Sequence, residues 1–333
     1  MSFDLAFIWA GLIAFAVLAY VVLDGFDLGI GILLTFVRNG EERGAMINTV
    51  TPVWDGNETW QVLGGGGLMA AFPLAYATVL PALYAPLIAM LLGLILRGVA
   101  FEFRWRSRRR AYVWDGAFAL GSLIASLAQG LALGALVQGI KVVNRSYAGG
   151  WWDWFTPFSV LTSLALVIAY ALLGACWLVM KTAGPLQQWA RRKAMLAGIG
   201  MLAVISAVSL WTPFLNAAYA ARWLAWPTLL FSAVVPLLVG TCGYVLFKGL
   251  IAGHERRPFF AAIGLFVLSF SGLGISFYPY IVPPALTIWQ AAAPDKSLAF
   301  LLVGAVILMP LILGYTGYAY WVFRGKTGPG GYH

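Results

Sequence analysis

Twelve acidic residues in 333 are few enough to take one at a time, and in so apolar a chain each is a candidate for chemistry. Asp4, Glu41, Glu42, Asp153, Glu255 and Asp295 fall in predicted loops or near the N-terminus, where hydration accounts for them. Asp24, Asp27, Asp55, Glu58, Glu102 and Asp115 fall inside long hydrophobic runs or at their ends. An ionisable side chain at membrane depth is costly, and by default it marks a proton or ion path, a ligand contact or a buried pair. Asp24 and Asp27 of Asp-Gly-Phe-Asp-Leu-Gly lie three apart, so both face one side of a helix and can pass a proton along it. The bland alternative has Asp24 capping a break in an overlong helix while Asp27 meets a hydroxyl or an amide. Asp55 opens the next apolar run, either as a carboxylate held by the free N–H groups of a helix start or as a further proton station. Glu102, four before Arg106, and Asp115, close to Arg108 to Arg110, read as ion pairs.

The missing ligands narrow the chemistry. Only two histidines occur, His254 in a predicted loop and His333 at the last position, so no span offers the usual axial ligand for a haem. Met69, Met90 and Met201 read as packing. Cys176 and Cys242 sit in apolar runs without metal-ligand spacing and read as core, so neither a metal site nor a disulfide is expected.

Elements able to hold buried acids must themselves be buried in lipid. Hydrophobic residues make up 62% of the chain and charged ones 10%, with a mean hydropathy of +0.86. That excludes a soluble enzyme, because too few charges remain to clothe a surface. The formal charge of +9 is therefore read as membrane topology, with no nucleic-acid partner. Nine spans are predicted, near Ala6 to Phe36, Glu58 to Leu80, Tyr84 to Phe103, Val113 to Ile140, Phe158 to Lys181, Ala194 to Trp211, Trp226 to Leu250, Pro258 to Phe277 and Leu298 to Phe323. The second and third are split at Pro81 to Pro86. With the N-terminus outside, the inner segments collect most basic residues and the outer ones only Lys141, Arg145, Arg222 and Lys296, while Arg97 stays within a span. The positive-inside rule then sets the N-terminus in the periplasm and the C-terminus in the cytoplasm. The start, Met-Ser-Phe-Asp-Leu-Ala-Phe, has no basic region or cleavage site, so the first span is expected to be retained. Residues 1–333 form one membrane domain with approximate halves 1–140 and 154–323. Gly25 and Gly29 would let another helix approach closely, and the run Gly64 to Gly67 would admit close contact of backbones or a flat cofactor. Trp151, Trp152 and Trp154 on one side, and Trp105 and Trp114 on the other, suit interfacial belts.

The motifs are themselves recognisable. Asp-Gly-Phe-Asp-Leu-Gly at Asp24 to Gly29 and Pro-Val-Trp-Asp-Gly-Asn-Glu-Thr-Trp at Pro52 to Trp60 resemble the signature stretches of subunit II of cytochrome bd-type quinol oxidases. The stretches Gly64 to Tyr76, Ser276 to Pro284 and Gly314 to Gly325 match as well, so the resemblance runs from the first span to the last. The stretch Arg97 to Arg104 looks most like the cyanide-insensitive branch. The resemblance implies an all-α polytopic protein of two four-helix bundles plus one further helix, in the bacterial inner membrane. It implies a partner, subunit I, which carries two haems b, haem d and the quinol site, with a small single-helix subunit, quinone and lipids as further company. It also implies that this chain has no catalytic residue or haem of its own. Two acids of the family's proton path match Asp27 and Asp55; Asp24 is a third, less direct candidate. Positions matching Glu58 and Gln290 differ among relatives, which speaks against an essential role for either. Two other readings stand beside this one: a proton-coupled secondary transporter using Asp24, Asp27 and Asp55, and a purely structural subunit.

Overall fold

The computed structural model describes residues 4–327. These are helical almost throughout, as lipid demands of a chain whose backbone polar groups must be satisfied within each segment. The first half contains α1 (Leu5–Leu34), α2 (Gly40–Asn48), α3 (Trp54–Ala71), α4 (Pro73–Ala82), α5 (Tyr84–Arg106) and α6 (Ala111–Gln138). A two-stranded hairpin follows, β1 (Val142–Val143) and β2 (Ser146–Tyr147). The second half contains α7 (Pro157–Lys181), α8 (Gly184–Leu215), α9 (Ala217–Leu224), α10 (Thr228–Ser232), α11 (Val234–Ile251) and α12 (Arg257–Phe277). A second hairpin, β3 (Tyr280–Val282) and β4 (Leu286–Thr287), leads to α13 (Ile288–Ala291) and α14 (Asp295–Val322).

Among the described residues eight spans are long and apolar enough to cross a membrane, α10 and α11 together making one of them, and a ninth results if the bent pair α3 and α4 counts as one. The single helix expected from Glu58 to Leu80 is thus corrected. It breaks at Phe72 (φ −133°, ψ 63°), and its halves meet at 119°. Pro73 is the cause, since it removes a backbone donor and drives the residue before it out of the helical region. The expected turn between Pro81 and Pro86 is a break at Leu83. Helix α8 starts at Gly184, well before the expected Ala194, because Arg191, Arg192 and Lys193 favour helix although they spoil a hydropathy window. Arg191 reaches back to the Leu250 carbonyl at 2.8 Å.

Helix α1 is the central element and packs on α3, α6 and α7, while α5 pairs with α6, α7 with α8, and α11 with α12. Its crossing with α7 needs glycine, as the sequence suggested for Gly29. A methyl carbon on Gly29 would run into the Tyr170 carbonyl, and one on Gly174 would lie 2.6 Å from the Gly29 carbonyl carbon. Gly93 and Gly121 do the same for α5 and α6; a methyl carbon on Gly121 would come 2.9 Å from the Arg97 backbone nitrogen. Of the run on α3, Gly64 and Gly67 face Val17 and Ile13 of α1, whereas Gly65 and Gly66 look into open space. Helix α14 leaves nearly all its length uncovered, with Leu298 its buried residue. Cys176 is buried and Cys242 partly buried, both free. The Gly-rich tail and His333 lie outside the described residues.

Candidate functional site

Helix α1 runs unbroken through Asp24 and Asp27, so the capping alternative for Asp24 is corrected. Both side chains are fully buried. Counting ten residues at about 1.5 Å each puts Asp24 about 15 Å from the helix end at Leu34. What faces it is Arg97 of α5, itself without any exposed surface, whose Nη1 donates to Asp24 Oδ1 at 2.6 Å. The same guanidinium donates through Nη2 to Glu58 Oε2 of α3 at 3.0 Å. Arg97 is thus the partner that sequence reasoning missed. Its signal was available, because a lone base inside a span needs a counter-charge.

Asp27 takes the amide alternative. Asn57 of α3, buried at its start, donates through Nδ2 to Asp27 Oδ2 at 2.8 Å and to the Leu23 carbonyl at 3.2 Å. Tyr320 of α14 donates its hydroxyl to Asn57 Oδ1 at 2.7 Å, so Asn57 ties three helices together. Asn57 was legible only as polar, since burial depends on what packs over it.

The cluster has an open side. Glu58 keeps 29% of its side chain exposed, and Asp55, one turn earlier on α3, is exposed. The helix is not capped by any side chain, and Asp55 sits in its first turn, so the specific capping role is corrected while the favourable position near the positive helix end remains. Two carboxyl groups therefore meet the Arg97 guanidinium inside the bundle, and a third, Asp27, lies beside them on Asn57. Full ionisation would leave two negative charges uncompensated in low dielectric, an arrangement relieved when carboxyls share protons. Asp24 Oδ2, Asp27 Oδ1, Arg97 Nε and Ser122 Oγ are buried without a protein partner.

A second polar thread crosses the same bundle one turn along α1. Tyr170 of α7 donates to Gln129 Oε1 at 2.7 Å, and Gln129 Nε2 of α6 donates to the Tyr20 hydroxyl at 2.8 Å. The remaining acids are structural. Asp115 pairs with Arg104 at 2.5 Å and with Arg43 at 3.8 Å, and not with Arg109 or Arg110. Glu102 is exposed and makes no ion pair with Arg106, so that expected pair is corrected. Adjacent spacing on a helix permits a pair, but an exposed one gains too little to fix it. Gln290 closes a capping box with Thr287 at the start of α13. Glu58, which the resemblance set aside, belongs to the cluster. Among the described residues no group of three or more histidine, cysteine, aspartate or glutamate side chains could hold a metal ion.

With this geometry in hand, comparison with known proteins is specific. A family model described as cytochrome bd terminal oxidase subunit II matches residues 5–323. Cytochrome bd-I ubiquinol oxidase subunit 2 of Escherichia coli strain K12 is 29% identical over 360 residues, covering 97% of this chain and 95% of that protein. Cytochrome bd ubiquinol oxidase subunit 2 of Bacillus subtilis strain 168 is 30% identical, covering 96% of each. Among solved structures, a chain of the bd oxidase from Geobacillus thermodenitrificans superimposes with a TM-score of 0.79 over 96% of this chain and 99% of that one. At 18% identity that likeness shows the fold.

Proposed function

The chain belongs to the cytochrome bd terminal oxidase subunit II family and is part of a quinol-oxidising oxidoreductase complex with a subunit I partner; on that premise we propose that its buried acids deliver protons for oxygen reduction. Reducing oxygen to water consumes protons, and these must cross protein of low dielectric constant through groups able to take up and release them. The observation that carries the reading is the linkage of Asp24, Arg97 and Glu58 beside Asp27 and Asn57, with Asp55 exposed one turn away. Asp55 collects protons at the surface, Glu58 receives them at the half-exposed edge, and Asp27 and Asp24 hold them inside. Arg97 tunes how many the cluster keeps.

The arginine-rich end of the helices is then the cytoplasmic one, with the C-terminus there and the N-terminus in the periplasm of the bacterial inner membrane. We assign the two haems b and haem d of the complex to subunit I, and none to this chain. The donor set supports that division, because the one described histidine, His254, is exposed in a loop and faces Arg257 at 3.0 Å. An isolated chain carrying stoichiometric haem would contradict it. A small single-helix subunit, quinone and lipids complete the proposed company.

Asparagine keeps the shape of aspartate but cannot carry its proton. Asp27→Asn and Asp55→Asn should therefore assemble with normal haem content and consume oxygen with quinol at a rate lowered by about tenfold or more, the scale of a lost proton-transfer group. Wild-type turnover in both assembled variants would leave the acids with a structural role only.

A further inference from the structure

Helix α14 is nearly uncovered along its length, yet its C-terminal end is tied down. The Tyr320 ring packs edge-on against Phe26 of α1 and Trp177 of α7, with centroids 6.5 and 6.1 Å apart. Just beyond the helix, the buried Lys181 of α7 donates through Nζ to the Phe323 and Gly325 carbonyls. Held by these contacts, the Tyr320 hydroxyl donates to Asn57 Oδ1 at 2.7 Å. Packing accounts for the ring but not for the hydroxyl, since phenylalanine would fill the same space.

What the hydroxyl does follows from the two ways an amide can face its surroundings, related by a half-turn that exchanges oxygen for nitrogen. As observed, Asn57 Nδ2 serves Asp27 Oδ2 at 2.8 Å and the Leu23 carbonyl at 3.2 Å, while Oδ1 takes the Tyr320 proton. The Leu23 carbonyl can only accept, so a turned amide would set oxygen against oxygen there, and against Asp27 as well whenever that acid is ionised. Without the Tyr320 donor, however, the observed orientation would leave Asn57 Oδ1 buried and unbonded, and the preference between the two would weaken. Asp27 Oδ1, by contrast, is buried with no hydrogen-bond partner among the described residues. With the amide held, the two oxygens of Asp27 therefore differ: Oδ2 is a fixed acceptor and Oδ1 is free to gain and lose a proton.

We propose that Tyr320 is a positioning residue for Asp27, acting through Asn57 to confine proton uptake and release to Asp27 Oδ1. The inference rests on the proton-delivery reading above. A proton arrives at Oδ1 and leaves from the same atom, and neither Asn57 nor Tyr320 gives up its own. If the amide turns, protonated Asp27 donates to Asn57 Oδ1 instead, and that bond holds the acid in its neutral form and delays release.

The test is quinol-driven oxygen consumption by the assembled complex carrying Tyr320→Phe, which keeps the ring and removes the donor. The variant should keep its haem content and its KM for quinol, lose about fivefold in kcat, the weight of one hydrogen bond, and show a larger solvent deuterium isotope effect on kcat. Asn57→Ala, which removes the amide itself, should slow turnover at least as much. Added to Asp27→Asn, Tyr320→Phe should cause no further loss, because the acid it positions is gone. A wild-type kcat in Tyr320→Phe, a loss of haem or assembly in that variant, or an equal further loss on top of Asp27→Asn would each overturn the assignment. Failure of the proton-delivery reading itself would look different, since Asp27→Asn alone would then turn over at the wild-type rate.

Discussion

Arg97 decides how the buried acids behave. Removing one partner of a buried pair strands a charge, which costs about 3–5 kcal/mol, whereas removing both can be nearly neutral. Arg97→Gln should therefore lower the thermal midpoint and assembly of the complex strongly, and adding Asp24→Asn should restore much of the loss. Differential scanning fluorimetry of the two single variants and the double variant reads this directly; strictly additive losses would mean that the 2.6 Å pair contributes nothing as a pair. Asp24 and Asp27 were visible in the sequence, because acids within an apolar run stand out. Arg97 was visible too, but its partnership was not, since the two residues that meet are 73 apart in the chain and only packing brings them together. Asn57 lies one step further from view, as nothing in a local motif tells a buried amide from an exposed one.

At the scale of the helix, close approach substitutes for the hydrophobic drive that lipid does not supply. Gly29 and Gly174 let α1 and α7 touch backbone to backbone. Gly29→Ala must push the Tyr170 carbonyl away and should cost about 1–3 kcal/mol, seen as a lower midpoint in thermal unfolding. Gly116→Ala on α6, where an added methyl meets nothing within 4 Å, should leave the midpoint unchanged or raise it slightly. Equal effects of the two would show that helix contact at Gly29 is loose. The spans were legible from hydropathy because lipid imposes one simple requirement on each. The bend at Phe72 was not, although Pro73 stood in plain view, since a proline inside an apolar run can kink a helix or end it, and tertiary contacts choose. The interfacial α2 escaped notice for the opposite reason, having too few apolar residues to register.

Across the whole molecule, two ends of different character emerge. One carries Arg38, Arg43, Arg104, Arg106 and Arg109, and there the C-terminal segment is tied back, with Lys326 on Glu255 at 2.5 Å and Thr327 N–H on the Lys181 carbonyl at 2.9 Å. The other carries the tryptophan-rich loop. Charge asymmetry predicts that a reporter fused to the C-terminus is active in the cytoplasm; activity confined to the periplasm would invert the topology and with it the side from which protons enter. Membership of an oxidase subunit family also removes the ground for the transporter reading, which rested on the same acids and on interrupted helices. Signatures at both ends of the chain made the family legible, whereas the wiring of the acids needed the fold.

The central claim is that these carboxyls carry protons, and proton uptake tests it more directly than turnover does. In the assembled complex, reduced and then pulsed with oxygen in the presence of a pH indicator, Asp27→Asn and Asp55→Asn should slow proton uptake by about tenfold or more while haem content and quinol binding stay as in the wild type. Uptake at the wild-type rate in both variants would contradict the account.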